Sequence, residues 1–229
     1  MSDSIKQLTF GVLFNRSFKI LDYWGEIADD ILYGKDTLLG AEFFTNISPN
    51  YTTERKLYNP QFNHSLTLSS NNLIFSQTID SNYNDEYKMF VKRISKQIIP
   101  QIISKYELVV RRLGIVYDTT LTEQEIKKFS SQYFNPTVGD IMDFRFAKKE
   151  GTVKGSLFAE NSDFINKIYT VRNMDENTRG ILYDYQAHYI PVRADVRDCI
   201  DKFITNANDN YNSDILNVIN GVQNGKKKF

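Results

Sequence analysis

The fold is indicated first by the stretch Leu8-Thr9-Phe10-Gly11-Val12-Leu13-Phe14, in which large apolar residues occupy every second position. This period of two is typical of a strand with one strongly apolar face. Apolar residues then recur at helical spacing from Ile20 to Ile31, and Gly34 stands where the C-terminal cap of a helix is expected. The chain is therefore predicted to open with a strand followed by a helix.

The same order is predicted again from the middle of the chain. A long strand is predicted from Leu108 to Asp118. Thr122 and Glu125 then form a capping-box pattern, which predicts a helix from Glu123 to about Gln132. The second part of the chain thus begins as the first does.

Further elements fill both parts. Strands are predicted at Glu42–Ile47, His64–Leu68, Leu73–Ile79, Asp140–Lys148, Thr152–Glu160, Phe164–Arg172 and Gly180–Tyr189. A helix is predicted over Asp85–Lys105, with a kink or a broken turn at Pro100. The last helix is predicted to begin near Arg193 and to continue, after a break, over Asn210–Val222. Residues 48–60 are polar and contain two prolines, so a long loop or an excursion at the sheet edge is expected there.

These elements predict an α+β fold, in which long helices pack on one face of a curved antiparallel sheet. Residues 1–106 and 107–224 would be two tandem halves joined in one compact unit, and residues 225–229 a frayed basic tail. Joining the halves edge to edge would remove two open sheet edges. The alternative is chance similarity, since amphipathic helices resemble one another. TATA-binding proteins share this order in each half, and helix-grip folds also pack a long C-terminal helix on a curved sheet. That likeness concerns architecture and not function.

Composition limits the classes of function. Lys and Arg together number 28, as do Asp and Glu, so the formal net charge is zero. This argues against a protein that coats DNA irrespective of sequence, and it favours self-association or a protein partner. Cys199 is the single cysteine, so no disulfide within the chain is expected. Residues 1–7 lack the apolar core of a signal peptide, and the apolar runs are far shorter than the roughly 20 residues that span a bilayer. We therefore expect a cytoplasmic protein that does not bind a membrane.

Three short segments carry a resemblance to a family: Leu73-Ile74-Phe75, Arg112-Leu113-Gly114-Ile115-Val116-Tyr117 and Leu182-Tyr183-Asp184-Tyr185. On these segments the chain resembles a sporadically distributed family of uncharacterised prokaryotic proteins of about the same length. Members of that family carry an Arg-apolar-Gly-apolar-x-Tyr strand in the middle. They also tend to carry a Trp before the middle helix, where this chain has residues 83–87, Tyr-Asn-Asp-Glu-Tyr. The patchy distribution implies a component of a prokaryotic antiviral-defence or mobile-element system, and the resemblance implies no catalytic residue.

The sequence contains few residues arranged as in known catalytic or metal-binding motifs. His64 and His188 are far apart, and no HExxH, Cx2C, EF-hand, GxSxG, P-loop or GxGxxG pattern occurs, so we expect no metal, no cofactor and no catalytic residue. Cys199 lies on the apolar side of a predicted helix and is expected to be a buried, inert thiol. Asp80 with Glu86 and Lys88 is superficially similar to the metal-binding set of a nuclease. The simpler interpretation is an acidic residue in the first turn of a helix.

Basic and aromatic residues are frequent in the second half. If several lie on one face of the sheet, they form a surface that suits nucleic acid. The candidate binding residues are Arg111, Arg112, Tyr117, Arg145, Lys148 and Tyr185. The alternative is ordinary charged strand faces, balanced by Asp140, Asp143, Glu150 and Asp184.

The favoured function is a non-enzymatic binding or interaction protein that presents its curved sheet to a protein partner or to a second copy. A nucleic-acid-binding module is the second candidate, and a metal-dependent nuclease is the third. A closed cavity for a small ligand under the last helix is a further alternative.

Overall fold

The fold is seen in a computed structural model. It describes residues 5–33, 45–47, 54–59, 63–79, 83–92, 94, 98–133, 143–150, 162–173, 179–189 and 196–221. The strand Thr152–Glu160 and the helix start near Arg193, both predicted from the sequence, lie outside these residues.

The opening strand has the predicted alternation. β1 covers Ile5–Phe14, and its large apolar side chains at Leu8, Phe10, Val12 and Phe14 are buried. The remaining strands are β2 (Thr45–Ile47), β3 (Glu54–Asn59), β4 (His64–Ser69), β5 (Asn72–Thr78), β6 (Val110–Leu121), β7 (Phe144–Glu150), β8 (Ser162–Asn173) and β9 (Arg179–Tyr189).

The described strands form one nine-stranded sheet in the order β2-β3-β4-β5-β1-β6-β9-β8-β7. Neighbouring strands are antiparallel throughout, and β1 and β6 pair at the centre. The predicted α+β class with an antiparallel sheet is therefore confirmed.

Helices connect the strands. They are α1 (Lys19–Asp22), α2 (Trp24–Tyr33), α3 (Tyr83–Lys92), α4 (Ile98–Lys105), α5 (Glu123–Ser130), α6 (Val196–Tyr211) and α7 (Asn217–Ile219), with a π-helical turn at Asn212–Leu216 between α6 and α7. α5 begins with the predicted capping box, in which Thr122 and Glu125 bond each other's backbone N–H groups. None of the described helices is long and apolar enough to cross a bilayer.

The structure differs from the predicted elements at residues 54–59 and after α6. Of the helix predicted over Asp85–Lys105, α3 and α4 are described at the two ends, and Pro100 lies in the first turn of α4, where its missing N–H has no intrahelical acceptor to lose. Residues 54–59 form β3 rather than a loop, because pairing with β4 satisfies the backbone of this mostly polar segment. No break separates α6 from the following residues, since the π-helical turn continues the helix.

Candidate functional site

One face of the sheet is closed and forms the core. Phe10, Ile115 and Tyr185 lie in one row across β1, β6 and β9, and each side chain is at most 2% exposed. Phe203 of α6 packs on this row, with its ring centroid 6.0 Å from that of Phe10 and 5.5 Å from that of Tyr185. We call this side the core face.

The core face contains both tyrosines of the candidate nucleic-acid surface. Tyr117 is 0% exposed, and Tyr185 lies in the buried row described above. Because side chains alternate along a strand, Tyr117 shares its face with Leu113 and Ile115, whereas Arg112 lies on the opposite face. Burial therefore removes Tyr117 and Tyr185 from any recognition surface.

The four basic candidates are also divided. Arg111 is exposed at the start of β6, where its Nη1 donates to Oδ1 of Asn15 at 3.2 Å. Lys148 is exposed on β7, and its Nζ lies 5.1 Å from the ring centroid of Tyr133. Tyr133 packs with the core-face ring of Phe146 at 4.6 Å, so Lys148 belongs to the margin of the core face. Arg111 and Lys148 thus do not join Arg112.

Arg112 and Arg145 do share a face. Burial raises the pKa of the Asp184 carboxyl in β9, and the hydrogen bond from Gln186 and the positive charges of Arg112 and Arg145 offset only part of this rise. Arg112 is half-buried and Arg145 is exposed, so both guanidinium groups border the same side of the sheet.

That side is accessible along the three central strands, and we call it the open face. Its residues in β5, β1 and β6 are all half-buried, in contrast to the fully buried residues with which they alternate. They are Asn72, Ile74, Ser76 and Thr78 in β5, Gln7, Thr9, Gly11 and Leu13 in β1, and Arg112, Gly114, Val116, Asp118 and Thr120 in β6.

One end of the open face combines positive charge with stacked rings. Phe164 of β8 and His188 of β9 stack with centroids 4.2 Å apart and planes at 21°. Nζ of Lys149 lies 4.0 Å from the Phe164 centroid, and Arg112 stands opposite His188 in the β6–β9 register. We call these four residues, Arg112, Lys149, Phe164 and His188, the basic-aromatic corner.

Amide side chains border this corner. Nε2 of His188 lies 3.4 Å from Nδ2 of Asn166 and 3.4 Å from Oε1 of Gln186. Nε2 of Gln186 donates to Oδ2 of Asp184 at 2.6 Å. One nitrogen cannot make both contacts as hydrogen bonds: Nε2 of His188 accepts from Asn166 in one tautomer and donates to Gln186 in the other, so the two amides border the imidazole as alternative partners.

Two glycines face each other at the centre of the open face. Gly11 of β1 pairs with Gly114 of β6. Among the described residues, a Cβ at Gly11 would have no neighbour within 4 Å, and one at Gly114 would meet Asp184 and Gln186 only at 3.9 Å. The surface is therefore lowest beside the basic-aromatic corner.

A second cluster is buried under the π-helical turn. Lys167 of β8 is 5% exposed, and its Nζ lies 2.9 Å from Oε1 of Glu150 and 3.2 Å from Oδ2 of Asp214. The hydroxyls of Tyr169 and Tyr183 donate to the same oxygen of Asp214 at 2.8 and 3.3 Å. The π-helical turn carries Asp214 and so brings the carboxylate to this point of the core face.

The contacts of this cluster attach the π-helical turn to the sheet. Burial raises the pKa of Tyr169 and of Tyr183, and the nearby charge of Asp214 raises it further. Both tyrosines are therefore neutral hydrogen-bond donors at physiological pH. Lys167 forms ion pairs with both Glu150 and Asp214. Sequence reasoning missed Lys167 and Asp214. The available signal was a lysine at an inward position of the alternating run Ile165, Lys167, Tyr169 and Val171.

The other candidates stay separate in space or fall outside the described residues. His64 is buried in β4, whereas His188 is on the open face of β9. Glu86 lies in the first turn of α3, and Asp80 is not among the described residues. Cys199 is half-buried and not fully buried as expected. Within the described part of the chain, no three His, Cys, Asp or Glu side chains are arranged to hold a metal ion.

Comparison with known proteins adds no relative. No protein-family model matches this chain, and no curated protein matches it significantly.

Proposed function

We propose that this chain is a non-enzymatic binding protein that recognises its partner through the open face. The observation that carries the proposal is the accessibility of this face along β5, β1 and β6, where every residue is half-buried while the alternating residues are buried. A broad sheet surface with apolar, polar and charged side chains offers a platform for a large ligand.

The charges in the core support binding rather than catalysis. Lys167 and Asp214 are tied to each other, and two tyrosine hydroxyls satisfy the carboxylate further. Groups held in this way stabilise one arrangement of helix and sheet. On the open face, Asp118 is likewise paired with Arg172 at 3.1 Å, although burial raises the pKa of this aspartate.

We further propose that the platform is built from two tandem halves, residues 1–106 and 107–224, with the long helices on the core face. Three features support this. The central pair is β1 with β6, the first described strand of each half, and each is followed along the chain by a helix. The last strand of each half, β5 or β9, pairs with the first strand of its own half. Phe90 of α3 and Phe203 of α6 contact core-face rings in the first and second halves respectively.

We also propose that the protein is a component of a prokaryotic defence or mobile-element system. This proposal rests on the resemblance carried by residues 73–75, 112–117 and 182–185. In such a system the open face would hold the chain in a multi-component assembly.

The test compares capture by variants from native lysate, with and without nuclease treatment. Ile74→Glu and Val116→Glu each place a charge on the open face, in different halves, and Met89→Glu makes the same kind of change at an exposed position of α3. We expect the wild type and Met89→Glu to recover the same stoichiometric partner, and both open-face variants to lose it. Thermal melting establishes that all variants are folded. Equal recovery by all four proteins would refute recognition through the open face.

A further inference from the structure

The charge on the open face is unevenly distributed. Two neighbouring rows cross the sheet at one end, and they contain Leu13, Arg112, His188 and Phe164 in one and Gly11, Gly114, Gln186, Asn166 and Lys149 in the other. These rows hold two cations and no carboxylate. Asp184 belongs to the next row, where Gln186 donates a hydrogen bond to it. This end of the open face therefore complements an anion.

The rings at this end favour an anion that also has flat apolar surfaces. Phe164 and His188 are half-buried, stacked and fixed, because Lys149 lies over the Phe164 ring and two amides border the His188 ring. Aromatic side chains on a sheet, flanked by cations, are the arrangement on which unpaired bases stack. Asn166 and Gln186 supply hydrogen-bonding groups of the kind that read base edges.

We propose that the basic-aromatic corner binds single-stranded nucleic acid, with Arg112 and Lys149 holding phosphates and the ring of His188, which Phe164 supports by stacking, packing against a base. The inference rests on the proposed function, since it names the partner of the open face. Gly11 and Gly114 carry no side chain on this face, which leaves room for the strand beside the corner. A duplex is a poorer ligand, because its bases are already stacked on one another and cannot reach the rings.

Fluorescence anisotropy with labelled oligonucleotides tests the inference. The probes are single-stranded RNA, single-stranded DNA and a DNA duplex of one sequence, and polyglutamate serves as an acidic competitor without bases. Single strands should bind more tightly than the duplex, and polyglutamate should compete poorly. With Arg112 and Lys149 contributing about two phosphate contacts, log K should fall against log salt with a slope of about −1.4. Tighter binding of RNA or of DNA supports the inference equally and identifies the sugar.

Variants locate the site. Phe164→Ala should weaken binding about tenfold, and Phe164→Tyr, which keeps the ring, should restore it. Lys149→Gln should weaken binding to all sequences and reduce the salt slope by about 0.7. Lys202→Gln removes an exposed lysine of α6 and is the matched control, with no expected effect.

Three outcomes overturn the inference: no binding at low salt, binding unchanged in Phe164→Ala and Lys149→Gln, or competition by polyglutamate as strong as by oligonucleotide. The last outcome would indicate an acidic protein partner. If oligonucleotides fail to bind while Ile74→Glu and Val116→Glu still lose a captured protein, only this inference is lost. If capture is also insensitive to those two changes, the proposed function is lost as well.

Discussion

Tyr211 of α6 stacks on Tyr117 of β6, with ring centroids 4.4 Å apart and ring planes 11° from parallel. The Tyr211 hydroxyl also lies 2.9 Å from Oγ1 of Thr119 on the same strand. All three residues are 0% exposed. The contact therefore attaches the end of α6 to the middle of the sheet through ring packing and one buried hydrogen bond.

Packing should dominate this attachment. Tyr211→Ala removes the ring and leaves a cavity, so we expect the free energy of unfolding to fall by about 3–5 kcal/mol. Tyr211→Phe keeps the ring and should cost about 1 kcal/mol, because only the hydrogen bond to Thr119 is lost. Urea denaturation measures both values. Tyr33→Phe, at a residue that is 70% exposed, should change nothing. Equal losses for the two Tyr211 variants would contradict this account.

The Lys167–Asp214 pair should behave as a coupled unit. Lys167→Met leaves the half-buried carboxylate of Asp214 without the ammonium group that lies 3.2 Å away, and we expect a loss of about 2 kcal/mol in the free energy of unfolding. Asp214→Asn keeps an acceptor for Tyr169 but removes the charge. The double variant should therefore be more stable than the sum of the single losses predicts, by at least about 1 kcal/mol. Chemical denaturation of the four proteins measures the coupling, and strictly additive losses would show that the pair is not coupled.

The raised pKa of Asp184 should make the stability of the folded protein depend on pH. This pKa is raised from the ordinary value of 3.8, chiefly by burial. The folded protein therefore keeps this proton at pH values where the unfolded chain has released it, and the contribution to stability falls as pH rises from about 3.8 through the folded pKa. Asp184→Asn cannot ionise, so its stability relative to wild type should increase between about pH 3 and about pH 7. Urea denaturation at several pH values measures this difference.

The exposed residue Asp29 provides the control for that experiment. Asp29→Asn should show no comparable change of relative stability across the same pH range. A relative stability of Asp184→Asn that falls with rising pH would reverse the assigned sign.

The capping box of α5 should contribute measurably to stability. Oε2 of Glu125 accepts from the backbone N–H of Thr122 at 2.8 Å, and the Thr122 side chain accepts from the backbone of Glu125. Thr122→Ala removes one half of this exchange and should lower the free energy of unfolding by about 1 kcal/mol. Gln124→Ala, at an exposed neighbouring position, should be nearly neutral. Thermal or urea unfolding distinguishes the two, and a neutral Thr122→Ala would mean that the cap contributes nothing.

Local patterns in the sequence predicted much of the fold. The alternation in β1 and β6, the strands β4 and β5, and the capping box at Thr122 are all encoded within a few residues. β3 was missed, because Leu57 is its single large aliphatic residue and its stability as a strand comes from pairing with β4. Such pairing depends on distant residues and leaves little local signal.

The candidate site was less predictable for the same reason. Alternation along β6 was sufficient to separate Tyr117 from Arg112, although grouping by sequence proximity placed them together. The basic-aromatic corner could not be found in this way, because Lys149, Phe164 and His188 meet only through the register of β7, β8 and β9. The contact of Lys167 with Asp214 likewise requires a helix to be placed on the sheet.

The glycine pair at the centre of the sheet has a mechanical consequence. Next to it on the core face, Phe10 and Ile115 fill the space between β1 and β6, whereas Gly11 and Gly114 leave the opposite side without side-chain bulk. We therefore expect side chains to resist bending less toward the open face than toward the core face at the line where the two proposed halves meet. Bending along this line would adjust the fit to a ligand by a small change of angle.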